Sequence, residues 1–171
     1  FGSINVDLTL KDIDNISNTM KDRGPDDNGF YQTSINNYKI NFVHNRLSIL
    51  DIEKGKQPMI SADDNIVIIY NGEIYNYKDL RDKLISKGYI FVTNNSDTEV
   101  LIHGYKEWGK NLPFHLDGMW SFAIIDKKKN QIFLSRDRFG EKPLFYYYKD
   151  KQFYFSSELS AFQKIKNINL E

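Results

Sequence analysis

The run Ile66-Val67-Ile68-Ile69-Tyr70 constrains the fold of this chain more than any other stretch. It is short, apolar and rich in β-branched residues, so it reads as a buried strand rather than a helix. At Tyr70 the residue types change abruptly, to Asn71-Gly72-Glu73-Ile74-Tyr75-Asn76. Two readings of that junction stand side by side. Asn-Gly is the strongest short turn signal between strands. A carboxamide followed by a glycine N–H is also a pair of donors suited to a developing oxyanion.

The flanking sequence supplies further elements. Residues 1–6 alternate loosely, as a short strand does. Leu10, Ile13, Ile16 and Met20 recur at helical spacing over 8–21. A charged loop punctuated by Gly24, Pro25 and Gly29 follows, and 30–41 fits a hairpin turning at Asn36-Asn37. Residues 42–51 are largely apolar around Arg46, and a guanidinium among such neighbours needs a partner or an exposed edge. Beyond the central strand, Leu80, Leu84 and Ile85 mark a helix over 77–87 that stops at Gly88. Residues 89–93 read as a short strand. Ser96-Asp97-Thr98-Glu99 matches a capping box opening a helix to about Trp108. The final third reads as a meander of strands at 119–125, 131–136, 144–148 and 152–156. The loop 136–143 is expected to be held by its own ion pairs, and Ser157 to cap a last short helix. The sum is an α+β domain with helices packed on two antiparallel sheets.

At 171 residues the chain fits one domain with a proper core. Its net charge of zero leaves no basic footprint for nucleic acid. No stretch approaches the roughly 18 apolar residues of a membrane helix, and no signal peptide is visible, so a cytoplasmic protein is the expectation. His44, His103 and His115 have no metal-ligand spacing, and there is no cysteine for a thiolate site, so no metal is expected. Phosphate loops and nucleophile elbows are missing too.

The polar residues support more than a fold class. Arg46, Asn71, Gly72, Glu73 and Asp97 fall at or near strand ends and helix starts. An amino-acid ligand needs a cation for its α-carboxylate and an anion for its α-ammonium. Arg46 can grip the first bidentately, and Asp97 at a helix start can take the second.

Seven ordered stretches carry a resemblance. They are Arg23-Gly24-Pro25-Asp26, 44–51 (His44-Asn45-Arg46-Leu47-Ser48-Ile49-Leu50-Asp51), Gly55-Lys56-Gln57-Pro58-Met59, 71–76, Ser96-Asp97-Thr98-Glu99, Asp117-Gly118-Met119-Trp120-Ser121-Phe122-Ala123 and 136–144. With them the chain resembles the class II glutamine amidotransferase domains, most nearly the glutaminase domains of asparagine synthetases. The resemblance implies an N-terminal-nucleophile hydrolase fold, a four-layer αββα sandwich, over 1–171. It implies hydrolysis of the glutamine side-chain amide to glutamate and ammonia. Arg46 would hold the carboxylate of glutamine, with Leu47, Ser48, Ile49 and Leu50 lining the pocket. Asp97 and Glu73 would hold the ammonium, and Asn71 with Gly72 N–H would form the oxyanion hole.

No cofactor is expected in this domain. An ATP-dependent synthetase domain, using ATP and Mg, is expected after Glu171 as partner and ammonia acceptor, with a homodimer left open and the acceptor carboxylate unread. The family nucleophile, an N-terminal cysteine, is absent from these residues and is expected just upstream of Phe1. The chain by itself is therefore expected to be inactive, and a non-catalytic glutamine-binding or packing module is the alternative.

Overall fold

Runs of branched and aromatic residues fold into two antiparallel sheets in the computed structural model, which describes residues 1–47, 55–165 and 168. In chain order the elements are β1 (Gly2–Ile4), α1 (Leu10–Thr19), β2 (Asp27–Ile35), β3 (Tyr38–Arg46), β4 (Met59–Ile60) and β5 (Ile66–Ile74). There follow α2 (Tyr77–Ser86), α3 (Asp97–Trp108), β6 (Gly118–Asp126), β7 (Gln131–Arg136), β8 (Phe145–Lys149) and β9 (Gln152–Ser156). Short 3-10 turns lie at Lys21–Arg23, Gly109–His115 and Leu159–Lys164. Among the described residues one sheet has the order β2-β3-β1-β9-β8 and the other β4-β5-β6-β7.

The alternation of β5 sets the layers. Ile66, Ile68, Tyr70 and Ile74 turn toward α2 and α3, into a core with Leu80, Leu84, Leu101 and Tyr105. Val67 and Ile69 turn the other way and meet Phe42 and Phe155 of the second sheet. On that sheet's outer face, Val43 and Tyr154 pack with Ile13 and Ile16 of α1 and with Phe162. The result is the α+β sandwich of four layers, αββα. Each large side chain buried in these cores stabilises by about 1.5–3 kcal/mol before entropy is counted.

The Asn36-Asn37 turn forms, both residues taking positive φ (48° and 68°) as a two-residue hairpin requires. Asn71-Gly72 does not turn. Strand β5 runs on through it, pairing Asn71↔Ser121, Gly72↔Trp120, Glu73↔Met119 and Ile74↔Gly118. Glycine permits this, because a Cβ at Gly72 would lie 2.1 Å from the Met119 carbonyl oxygen.

Residues 89–93 are not a strand. The N–H groups of Val92 and Thr93 donate instead to the Glu99 carboxylate, each at 2.8 Å. The Glu99 carboxylate is thereby taken from the Ser96 N–H, and Ser96 stands at the helix N-cap with no side-chain cap bond, so the capping box does not form. The final strands form two hairpins in different sheets rather than one meander, β6–β7 beside β5 and β8–β9 beside β1. Between them the 136–143 loop is held by charge-to-backbone bonds. Asp137 accepts from the N–H groups of Phe139, Glu141 and Lys142, and Arg136 donates to the carbonyls of Gly140 and Lys142. Ser157 does not cap the last turn: Glu158 stands at its N-cap with no side-chain cap bond, and the Ser156 hydroxyl accepts from Glu158 N–H at 3.1 Å. Leu10 and Ile85, expected on buried faces, are exposed. No helix among the described residues is long and apolar enough to cross a membrane.

Candidate functional site

Strands β3 and β5 face each other across the gap between the sheets. Phe42 on β3 faces that gap, so His44 and Arg46 follow on the same side. Val67 and Ile69 on β5 face it as well, so Asn71 and Glu73 do too. Where the apolar filling of the gap ends, a cavity of about 380 Å³ opens. Arg46, Leu47, Asn71, Gly72, Glu73 and Asp97 all line it. Ser48, Ile49 and Leu50 lie outside the described residues.

The edge of β5 decides which backbone groups reach the cavity. Strand β4 covers only its first rungs, Met59↔Ile68 and Ile60↔Val67. The Ile66 carbonyl accepts from Ser61 N–H on that side, so Tyr70, Gly72 and Ile74 present N–H and C=O to the same edge. Side chains take up most of what β4 leaves. Tyr70 N–H donates to Gln57 Oε1 (2.6 Å), His44 Nε2 bonds to the Tyr70 carbonyl (3.0 Å), and Ile74 N–H donates to Asp97 Oδ2 (3.3 Å). Gly72 N–H, between these rungs, points into the cavity.

Electrostatics sharpen the contrast between the walls. Arg46 and Asp97 are both buried. The Tyr70 hydroxyl donates to Asp97 Oδ2 at 2.8 Å. Burial pushes the Asp97 carboxyl above the ordinary carboxylate range, against the pull of the Tyr70 hydroxyl and Ile74 N–H. Burial, aided by Arg46, holds the His44 imidazole down to about 4, so it is neutral at pH 7. The Phe1 nitrogen donates to the Val43 carbonyl at 2.8 Å.

Arg46 can bind a carboxylate bidentately, Asp97 and Glu73 can bind an ammonium, and the Asn71 carboxamide with Gly72 N–H can stabilise an oxygen that gains charge. The cavity therefore suits a zwitterion with a polarisable carbonyl at its far end. Among the described residues no group of three or more His, Asp and Glu could hold a metal ion.

Sequence reasoning assigned no role to His44, Gln57 or Tyr70, which secure the β5 edge. Gln57 had a signal, lying within Gly55-Lys56-Gln57-Pro58-Met59. His44 had one as well, opening the 44–51 stretch, whereas Tyr70 had none, because a phenol at the end of an apolar run reads as core.

The profile of the glutamine amidotransferase domain family matches residues 1–171. A relative from Methanocaldococcus jannaschii is 42% identical over 178 residues, spanning 95% of this chain and 34% of the relative. Asparagine synthetase (glutamine-hydrolyzing) 3 of Bacillus subtilis is 43% identical over 151 residues, 87% of this chain and 24% of that protein. The chain thus spans about a third and about a quarter of the length of these curated relatives. Among solved structures, glutamine phosphoribosylpyrophosphate amidotransferase from B. subtilis, complexed with ADP and GMP, superimposes with a TM-score of 0.73 at 20% identity. That match covers 95% of this chain and 42% of the other.

Proposed function

We propose, since the chain belongs to the glutamine amidotransferase domain family, that its cavity is the glutamine site of a glutaminase. The reaction is hydrolysis of the side-chain amide to glutamate and ammonia. One observation carries the reading: a guanidinium, two carboxylates and two oxyanion donors from separate strands and a helix converge on one cavity at the end of the inter-sheet gap. Arg46 receives the α-carboxylate, and Asp97 with Glu73 the α-ammonium. The amide oxygen then falls to Asn71 and Gly72 N–H, where losing one donor costs about 10²–10³ in rate.

The nucleophile is the missing part. None of the 171 residues is cysteine. Ser3 is no substitute: it sits in mid-strand, accepts from Asn41 Nδ2 at 3.0 Å, and is on the face opposite Gly2. In this reading the nucleophile precedes Phe1, and the ladder supports the position. Phe1 pairs with Val43, and Gly2 shares the inter-sheet face with Phe42. Antiparallel continuation by three residues puts the first of them opposite Arg46, on that same face and toward Asn71. A cysteine there attacks the amide carbon while its own α-amine takes the proton.

The ammonia acceptor in this reading is an ATP-dependent, asparagine-forming synthetase domain of the same protein, with ATP and Mg bound there and a cytoplasmic setting. The names of the longer relatives support that reading. The lack of a cysteine favours a second one, a module that binds glutamine without cleaving it.

The test is glutamate and ammonia release by the chain extended at Phe1 with Cys-Gly-Ile and a free amine. Turnover that disappears on changing that cysteine to alanine, with glutamine binding kept, is the expected result. A folded, glutamine-binding extended chain without turnover supports the non-catalytic reading and overturns the first.

A further inference from the structure

Tyr70 carries three polar groups, and each is tied to a different part of the cavity wall. Its N–H donates to Gln57 Oε1, its carbonyl accepts from His44 Nε2 on the opposite sheet, and its hydroxyl donates to Asp97 Oδ2 at the start of α3. Gln57 extends the tie, its Nε2 donating to Thr98 Oγ1 at 3.5 Å. The two elements that bear the oxyanion donors and the ammonium partner, β5 and α3, are thereby joined at both ends of one residue. Nothing in the reaction proposed above requires a tyrosine at this place.

We propose that Tyr70 is a positioning residue of the glutamine site: its hydroxyl aims the Asp97 carboxylate at the substrate ammonium, and its backbone ties hold β5 so that Gly72 N–H faces the cavity. The inference rests on the glutamine reading. Asp97 has two oxygens, and the bonds from Tyr70 and Ile74 both land on Oδ2. A carboxylate fixed through one oxygen has a fixed rotation, which leaves the other with a defined direction. The hydroxyl also favours the charged form of a buried acid, and the neighbours decide how much that matters. Among the described residues, the ionisable groups lining the same cavity besides Asp97 and Tyr70 are Glu73 on β5, His44 and Arg46 on β3, Arg23 after α1, Lys142 after β7 and, in the 171-residue chain, the Phe1 amine. Arg23 is engaged by Glu158 at 2.6 Å. Without its hydroxyl partner, Asp97 holds its charge less well in this burial and picks up a proton at higher pH.

The experiment is calorimetric titration of the 171-residue chain with glutamine across pH 4 to 8, comparing it with Tyr70→Phe, which removes one oxygen. Tyr70→Phe should weaken glutamine binding by about ten- to a hundredfold at pH 7, as loss of a hydrogen bond to a charged acceptor does. Its affinity should also begin to fall on acidification at a higher pH than in the unsubstituted chain. A residue that merely packs would not move that acid limb. Gln57→Met breaks the Tyr70 backbone tie and the bond to Thr98 but leaves the Tyr70 hydroxyl on Asp97, and should weaken binding by a constant factor at every pH. It carries the test should Tyr70→Phe not fold. If the unsubstituted chain binds glutamine and the folded variants bind it with the same affinity and pH profile, the positioning role is wrong and the glutamine reading stands. If the unsubstituted chain binds no glutamine, both fall together.

Discussion

Gly72→Ala is the sharpest perturbation of the oxyanion wall, because it adds one methyl group and leaves the N–H in place. The new Cβ would lie 2.1 Å from the Met119 carbonyl oxygen, and 2.8 Å from both Trp120 Cα and the Tyr70 ring. The first two are backbone atoms of β6, so no side-chain rotation relieves them. An ordinary carbon–oxygen contact is about 3.3 Å or more, so β5 and β6 must part by roughly 1 Å at this rung. Overpacking of this kind costs about 1–3 kcal/mol, which in a domain of this size lowers the thermal midpoint by about 2–12 °C. A displacement of roughly 1 Å at a reacting centre costs about 10²-fold in rate. Glutamate release by the Cys-Gly-Ile-extended chain should therefore fall about a hundredfold in a protein that is still folded at 25 °C. Gly88→Ala serves as the comparison. It meets nothing within 4 Å but sits at φ +93°, so it should cost stability alone, of order 1–3 kcal/mol. A Gly72→Ala protein with unchanged midpoint and turnover would refute both the close approach and the placement of the donor.

Arg46→Ala and Asp97→Ala should each weaken glutamine binding by about 2–5 kcal/mol in calorimetry, the range for truncating one side of a desolvated charge pair; unchanged affinity in both would mean the ligand sits elsewhere. Glu99 is buried, which by itself would raise its pKa, but bonds from His103, Thr93 and Val92 override that and hold it down to about 2. The stability it contributes is complete above the unfolded value near 4.5 and is lost as pH falls toward 2. Glu99→Gln should flatten the thermal midpoint across that window, and a midpoint as steep as before would count against this account. Asp137→Ala removes the acceptor for the amides of Phe139, Glu141 and Lys142, so hydrogen exchange at those amides should rise well above that of the β6–β7 ladder.

Much of the architecture was legible because it follows from local periodicity. Ile13 and Ile16, Leu80 and Leu84, and Val100 and Leu101 announce helices, and all are buried. The misreadings fall where a distant group decides. Residues 89–93 have strand composition, but their amides are claimed by Glu99. Asn71-Gly72 has turn composition, but Ser121 and Trp120 hold it in a ladder. A four-strand meander was expected where the 136–143 loop in fact crosses from one sheet to the other, and local sequence does not encode which sheet a hairpin joins. The polar residues of the site could be picked out by type: an arginine among apolar neighbours, and an aspartate at a helix start. Their convergence could not, because it depends on two sheets stacking with His44 and Arg46 facing Asn71 and Glu73. The roles of Tyr70 and Gln57 were illegible for the same reason, since each acts through bonds to partners far away in sequence.

The place of β1 has a consequence in time. The first strand of the chain lies in the middle of its sheet, with Gly2 paired to Phe42 on one side and to Phe155 on the other. During synthesis β1, β2 and β3 can meet early, and β4 to β7 can close into the other sheet as a contiguous segment. The second edge of β1 has no partner until the β8–β9 hairpin leaves the ribosome. Nascent chains halted before Gln152 should therefore expose β1 to protease while β5 and β6 are already protected, and equal protection of both would show that the sheet forms by another order. The wall of the cavity nearest the chain start is thus among the last parts of the molecule to be sealed.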